Sequence, residues 1–261
     1  MDFLKKLSEN PYGDLLFNIP EEQKIGIISI IGGNGQNFRT VIKTAEYMTG
    51  KFPLKELRVV LPDSLKGNLP KLDNLTFLKT TEIGSFSDTE EIEAVINTSD
   101  ATLVIGDLSK NTVTKNAFES AFLSSERPLF LTRDAVDMVA EMKLEKMLLR
   151  ENLTIFGSIV QWQKIFKDLY YPKILMPSQP LVQVAEAFHK FSLSYPVQAI
   201  SLHDGQILIC KNGEVMVVPL EKTGYSPLIV WNGELAGKVV ALNLYSPGKF
   251  LEATVAALFF R

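Results

Sequence analysis

The chain has 261 residues, 46% of them hydrophobic and 22% charged, with a formal net charge of -3. This length can bury the core of one large α/β domain, and the near-neutral charge argues against nucleic acid as a partner, because phosphate binding needs a concentrated basic face. One cysteine and two histidines exclude an internal disulfide and the usual zinc sites, and no apolar run reaches the roughly 18 residues that span a bilayer.

The first 22 residues are amphipathic. They lack the continuous apolar core and the small-residue cleavage site of a signal peptide. A lone cysteine, Cys210, also fits a reducing compartment. We therefore expect a cytoplasmic protein without a membrane partner, in which residues 1–22 form a cap helix, an extension or a subunit contact.

Short apolar runs then alternate with longer amphipathic stretches. The runs predict strands at 25–31, 57–61, 76–79, 102–106, 129–131, 153–156 and 197–202. The amphipathic stretches predict helices at 39–49, 90–97, 116–124, 135–149, 160–169 and 181–191. Continuous apolar strands separated by helices are typical of a mostly parallel sheet with helices on both faces.

The pattern changes after residue 205. Residues 206–220 contain two β-rich arms around Asn212-Gly213, and Asn-Gly is the strongest short hairpin signal because both residues tolerate positive φ. A loop at 221–230 precedes two further predicted helices, 231–245 and 248–261, of which the last is very apolar. No linker rich in Pro, Gly or Ser divides the chain, so we expect a single domain.

The glycine turn IIGGNGQNF follows the first long strand and contains Gly32, Gly33 and Gly35. A dinucleotide-binding G-x-G-x-x-G that starts at Gly33 would need glycine where Phe38 stands, and the Gly-Lys-Ser/Thr end of a P-loop is absent. Two interpretations stay open. The turn is either a tight strand-to-helix connection or a turn that lies beside a substrate.

A second candidate site is Asn232-Gly233-Glu234, directly before an amphipathic run. Asn232 is a good helix N-cap, and exposed amides at a helix start can bind an anion such as a nucleotide phosphate. Glu234 could then act as a base beside that anion. Ordinary capping chemistry explains the same three residues, so both interpretations remain. Lys238, four residues after Glu234, is spaced for an ion pair with it.

Several segments, in the correct order, resemble the NAD(P)H-hydrate dehydratases of the ribokinase superfamily. IGIISIIGGNGQNFRTVIKTAEYMTG is similar to the family's opening strand, glycine turn and helix. SDATLVIGDL, RPLFLTRDAVDMV and VQAISLHDGQILICKNGEVMVVP resemble its DALVIGPGLG, PLVLDADAL and hairpin segments, and WNGELAGKVVAL resembles its GSGDVLAGIIAAL helix. The resemblance implies a ribokinase-like three-layer α/β/α sandwich with a mostly parallel sheet and a late antiparallel hairpin.

The resemblance also implies an activity, the dehydration of NAD(P)H hydrate with ADP or ATP, with Mg²⁺ as a further cofactor, and it implies homo-oligomers. On this basis Glu234 is the candidate catalytic base. The candidate nucleotide-binding residues are Trp231, Asn232, Gly233, His203 and Gly205. The candidate substrate-binding residues are Gly32, Gly33, Asn34, Gly106 and Asp134. No protein ligand for a metal is implied.

The chain departs from the family at most of its polar motifs. The aspartate of GSGD is Glu234, the GPGLG turn keeps only Gly106, and the first aspartate of DADAL is Thr132. The HPGE segment has become something like Ile159-Val160-Gln161, and the lysine before the hairpin is replaced in His203-Asp204-Gly205. Asp107 is expected to repel phosphate, and His203 to face solvent in a turn. Three functions therefore remain: an impaired dehydratase, a non-catalytic nucleotide-binding or interaction protein, and a small-molecule kinase.

Overall fold

The computed structural model describes residues 2–17, 19, 24, 26–67, 69 and 74–260. Within these residues ten strands form one sheet: β1 (Leu4–Lys6), β2 (Ile27–Gly32), β3 (Glu56–Pro62), β4 (Leu75–Leu78), β5 (Ala101–Gly106), β6 (Leu129–Thr132), β7 (Leu153–Phe156), β8 (Gln198–His203), β9 (Gln206–Lys211) and β10 (Glu214–Pro219). Their order is β1-β10-β9-β8-β7-β6-β5-β2-β3-β4.

Nearly all neighbouring strands run in the same direction. Every pairing from β4 to β8 is parallel, and β1 is parallel to β10. The strand β9 is antiparallel to both of its neighbours, β8 and β10. The late hairpin predicted from Asn212-Gly213 is therefore confirmed, with positive φ at both residues.

Helices cover both faces of the sheet. They are α1 (Asp14–Phe17), α2 (Arg39–Lys51), α3 (Thr89–Asn97), α4 (Thr112–Ser124), α5 (Asp134–Ala140), α6 (Leu144–Leu148), α7 (Ile159–Asp168), α8 (Leu181–Ser194), α9 (Gly233–Tyr245) and α10 (Phe250–Phe259). One apolar core lies under α3 to α8, and the other lies under α1, α2, α9 and α10. The three-layer α/β/α sandwich is confirmed. No helix of the described residues is long and apolar enough to cross a membrane.

The central strand β5 illustrates why the chain adopts this fold. All six of its residues, ATLVIG, are buried. A strand that buries both of its faces needs a layer of helices on each side, as continuous apolar strands of parallel sheets do. Buried residues on α9 and α10 supply one layer, and those on α4 and α5 supply the other.

The bounds of two predicted helices differ from those observed. The predicted helix 135–149 is divided into α5 and α6, because Ala140, Met142 and Leu144 are all buried and one straight helix cannot turn every second residue to the same face. The helix predicted from residue 116 begins at Thr112, where the side chain of Asn111 accepts a hydrogen bond from the backbone of Thr114. The predicted strand 25–31 starts on a residue outside the described ranges and is observed from Ile27.

Sequence reasoning missed the strand at the N-terminus. The strand β1 extends the sheet beside β10, and the carbonyl of Phe3 accepts a 2.8 Å hydrogen bond from the backbone of Val215. The ring of Phe3 stacks on His189 at a centroid distance of 4.2 Å. This segment therefore contributes to the sheet itself. The expectation of a single domain stays a prediction.

The buried thiol of Cys210 provides a test of the core. Cys210 lies on β9, is 1% exposed, and donates a 3.1 Å hydrogen bond to Ser192 Oγ. Burial raises the pKa of its thiol to about 12, so the reactive thiolate is scarce at neutral pH. We expect no labelling by a thiol reagent at pH 8 in the native state and stoichiometric labelling in guanidinium chloride. Rapid native labelling would contradict this core.

Candidate functional site

The candidate site lies at the edge where β2, β5 and β6 end and α9 begins. The backbone N–H of Gly33 donates to the carbonyl of Gly106 at 2.9 Å, and Asn34 Nδ2 donates to the carbonyl of Asp107 at 2.7 Å. A Cβ added at Gly32 would approach the carbonyl oxygen of Gly106 to 2.7 Å. The first glycine turn thus holds two loops in close contact, as a tight strand-to-helix connection does.

Asn232 is the N-cap of α9, as predicted, since its Oδ1 accepts a hydrogen bond of 3.1 Å from the backbone of Glu234. Gly233 is buried, and a Cβ added there would overlap Thr44 Oγ1 and Ile105 Cδ1. The absence of a side chain therefore lets α9 pack tightly on α2. This requirement explains the glycine without a ligand, while the exposed Asn232 leaves the cap open to the surface.

The carboxylate of Glu234 forms the predicted ion pair with Lys238, Oε1 to Nζ 3.1 Å. Only 3% of Lys238 is exposed. Its ammonium also donates to Tyr225 Oη and to the carbonyl of Phe260, both at 2.6 Å. The rings of Tyr47, Tyr225 and Phe260 surround it at centroid distances of 5.3, 4.9 and 5.7 Å. A buried ammonium is stable only when its N–H groups have acceptors, and here three acceptors surround it.

The groups around Lys238 alter one another's protonation. Burial lowers the pKa of Lys238, and Glu234 opposes that change. Burial is also the larger cause that raises the pKa of Tyr47 to about 12, and the charge of Glu234 adds to it. The pKa of Tyr225 is raised for the same two reasons. Tyr47 and Tyr225 are therefore neutral phenols at physiological pH.

Arg133 was missed by sequence reasoning. It lies between β6 and α5 with φ +58° and ψ -135°, a backbone conformation that residues with a side chain rarely adopt. Its Nη2 donates to Asp107 Oδ1 at 2.6 Å, and its Nη1 donates to the carbonyl of Trp231 at 3.2 Å. The side chain therefore bridges the loop after β5 and the segment that leads into α9. Asp107, which we expected to repel phosphate, is neutralised by this arginine.

The carboxyl group of Asp134 is partly buried beside the same loop. Burial is the main cause that raises the pKa of Asp134 to about 6, and the nearby charge of Asp107 adds to it. Its Oδ1 is buried and has no hydrogen-bond partner among the described residues. A Cβ added at Gly106 would overlap this oxygen, so Gly106 is also required for packing.

His203 is not a solvent-facing turn residue as expected. It is 3% exposed, and its Nε2 lies 2.7 Å from the carbonyl oxygen of Gln179. This contact thus links the segment before α8 to the end of β8. Gly205, in the turn between β8 and β9, has φ +65° and open space where a Cβ would be. Neither residue lines the two cavities beside α9.

A cavity of about 500 Å³ lies between α2 and the segment that leads into α9. Its lining brings together Thr40, Lys43, Thr44, Tyr47, Arg133, Ser226, Leu228, Trp231, Asn232 and Glu234. A second cavity of about 460 Å³ shares Tyr47, Ser226, Asn232 and Glu234 with it. The volume is within the usual range of about 300 to 1,000 Å³ for small-molecule sites. The start of α9 and the missed Arg133 therefore face one cleft.

Solved structures of low sequence identity share this architecture. A hypothetical protein from Streptococcus mutans aligns with a TM-score of 0.71 at 14% identity, covering 97% of this chain and 88% of that one. A ribokinase-like superfamily protein from Enterococcus faecalis aligns with 0.68 at 16% identity, covering 99% and 86%. The chain has the ribokinase-like fold.

A ribokinase-like enzyme of known activity aligns as well. The ADP/ATP-dependent NAD(P)H-hydrate dehydratase from Bacillus subtilis, co-crystallized with ATP/Mg²⁺, has a TM-score of 0.57 at 13% identity, covering 92% of this chain and 80% of that one. At sequence identities this low, the alignments show a shared fold and do not show a shared activity. Neither a protein-family model nor a curated protein matches this chain.

In the part of the chain that the structure describes, the acidic, histidine and cysteine side chains do not gather into a cluster of metal ligands. Among the described residues, no group of three or more His, Cys, Asp or Glu side chains could hold a metal ion.

The contact between α9 and α2 is testable at Gly233. We expect Gly233→Ala to destabilise the protein by about 1–3 kcal/mol, the usual cost of overpacking, because the added methyl overlaps Thr44 Oγ1. Thr44→Ala in the same chain should recover part of the loss. Gly50, also helical, has nothing within 4 Å of a built Cβ, so Gly50→Ala should be neutral or stabilising. Equal effects of the two alanines in urea unfolding would contradict this packing.

The raised pKa of Asp134 predicts a pH-dependent stability. The native carboxyl binds its proton more tightly than the unfolded one, so its contribution is complete below about pH 4 and is lost as the pH rises through about 6. Asp134→Asn should therefore raise the free energy of unfolding by about 1–2 kcal/mol at pH 8, allowing for partial exposure, and by almost nothing at pH 4. A gain of the same size at both pH values would contradict this assignment.

Proposed function

We propose that this ribokinase-like chain binds ADP or ATP, with Mg²⁺ on the phosphates, in the cleft at the start of α9, and that its dehydratase activity is impaired. The observation that carries the proposal is the ion pair between Glu234 and the buried Lys238. A general base must be free to contact the proton of the reacting group, and an oxygen of this carboxylate is already engaged by an ammonium at 3.1 Å.

Three features of the cleft support nucleotide binding. Its lining contains the cations Lys43 and Arg133, the capping residue Asn232, and the indole of Trp231, which can stack on a base. The amide-rich start of a helix favours phosphate. The B. subtilis protein of the same fold was co-crystallized with ATP/Mg²⁺. The candidate nucleotide residues His203 and Gly205 stand apart from this cleft, so the proposal rests on Trp231 and the start of α9.

The remaining parts of the proposal follow from the resemblance. NAD(P)H hydrate is the substrate of the similar dehydratases, and the resemblance assigns Gly32, Gly33, Asn34, Gly106 and Asp134 to its binding. None of these five residues lines the cleft at the start of α9, and Asp134 lines a separate cavity with Ser109 and Lys110. We propose a cytoplasmic location, and homo-oligomers by the same resemblance. A small-molecule kinase would need the same phosphate contacts that this chain has replaced, and no feature of the cleft favours it.

Isothermal titration with ADP and ATP, with and without Mg²⁺, tests the binding. We expect micromolar dissociation constants. Asn232→Asp should weaken binding about tenfold or more, because it keeps the N-cap but places a negative charge beside the phosphate. Asn232→Ser, a neutral capping residue, is the matched control and should retain affinity. No binding at millimolar nucleotide, or equal affinity of both variants, would contradict the proposed seat.

An assay of NAD(P)H-hydrate repair tests the impaired activity. We expect turnover at least about 100-fold below that of the B. subtilis dehydratase, since misplacement of a catalytic group by about 1 Å can cost that much. Glu234→Gln should change this residual rate little. Turnover comparable to the B. subtilis enzyme that disappears in Glu234→Gln would show instead that Glu234 is a working base.

A further inference from the structure

We propose that Arg133 is a pre-organised binding site for the oxyanion of a phosphorylated small molecule. This inference deepens the proposed function and rests on it only for the identity of the ligand as a nucleotide. Arg133 lines the cavity with Lys43, Trp231 and Asn232. Its place in the chain corresponds to a small residue, the alanine of DADAL, in the similar dehydratases. The resemblance therefore does not imply an arginine at this position.

The backbone of Arg133 is held in a costly conformation by specific contacts. Its φ of +58° is accompanied by a φ of +55° at Asp107, its ion-pair partner. The carbonyl of Arg133 accepts a 2.8 Å hydrogen bond from Nε2 of Gln161, which is 6% exposed. The Oε1 of that amide accepts a 3.0 Å hydrogen bond from the backbone of Ser158 at the start of α7. Strained residues fixed by their surroundings in this way are concentrated at ligand-binding sites.

The guanidinium retains donors for a ligand. Of its five N–H groups, one on Nη2 bonds to Asp107 and one on Nη1 bonds to the carbonyl of Trp231. Each terminal nitrogen thus keeps one N–H without a partner among the described residues, and the side chain is 25% exposed. An arginine that is oriented by two fixed acceptors and still carries unused N–H groups can donate to a phosphate oxygen.

The charges around the cavity favour an anion. The cations of its lining are Lys43 and Arg133, and its only carboxylate is Glu234, which Lys238 neutralises. Asp107 neutralises Arg133 in the same way, but it accepts from only one of the terminal nitrogens. Lys43 is exposed and forms no ion pair among the described residues. A phosphate at the free donors of Arg133 would therefore meet a net positive charge.

The fluorescence of Trp231 can report the binding of a ligand in this cavity. The chain has two tryptophans. Trp162 is fully buried, whereas Trp231 is partly exposed in the cavity and bonded to Arg133 through its carbonyl. Inorganic pyrophosphate, ADP and adenosine are titrated against tryptophan fluorescence at constant ionic strength. We expect saturable changes with pyrophosphate and with ADP that are absent in Trp231→Phe.

Arg133→Gln should weaken the binding of pyrophosphate and of ADP by about 10- to 100-fold, the usual effect of losing charge-assisted hydrogen bonds. The binding of adenosine should be unchanged. Arg127→Gln is the matched control, because Arg127 is exposed just before the opposite end of β6, and it should retain wild-type affinity. Asp107→Asn should tighten pyrophosphate binding, since it removes a negative charge but keeps an acceptor for Nη2.

If Arg133→Gln does not fold, Arg133→Gly replaces it, because glycine adopts this backbone conformation without strain, and it should likewise lose pyrophosphate binding. Folded Arg133 variants with wild-type affinity would overturn the inference and leave nucleotide binding intact. Wild-type binding of pyrophosphate but not of ADP, lost in Arg133→Gln, would support the inference and reject a nucleotide as the ligand. A wild-type protein that binds neither anion would overturn both.

Discussion

The rest of the site depends on the contacts that the buried ammonium of Lys238 makes. A charge that is 3% exposed requires partners, and Lys238 takes them from three parts of the chain: Glu234 in α9, Tyr225 in the preceding loop, and the carbonyl of Phe260 after α10. One side chain thereby connects the start of α9 to the end of the described chain. The same contacts place the carboxylate of Glu234, the candidate base, in an ion pair.

Two further contacts hold the start of α9 in place: its tight packing on α2 and the bridge made by Arg133. Gly233 brings the two helices together over Thr44, and Arg133 joins Asp107 to the segment that leads into α9. In the motifs of the similar dehydratases an alanine stands in place of Arg133 and a proline in place of Asp107. Here these two positions are filled by groups that bond to one another. The ribokinase-like scaffold thus retains a cleft in which the charges of Arg133 and Glu234 are paired.

Much of the fold could be predicted from the sequence, because β5 and its neighbours are continuously apolar and the Asn212-Gly213 turn is a strong local signal. The strand β1 could not, since LKK has no apolar alternation and is held by the edge of β10. The cap at Asn232 and the pair of Glu234 with Lys238 depend on local spacing and were predictable. Arg133 was not, because its role depends on a positive φ and on Asp107 and Trp231, which are distant in sequence. The burial of His203 likewise depends on a distant carbonyl, that of Gln179.

The most direct test concerns the ion pair between Lys238 and Glu234. A double-mutant cycle of Lys238→Met and Glu234→Gln, followed by urea unfolding at pH 7, measures that pair directly. With one partner buried, we predict a coupling free energy of at least about 1 kcal/mol. Effects of the two substitutions that add to within about 0.3 kcal/mol would mean that Glu234 is free of Lys238 in solution, and the carboxylate would again be available as a base.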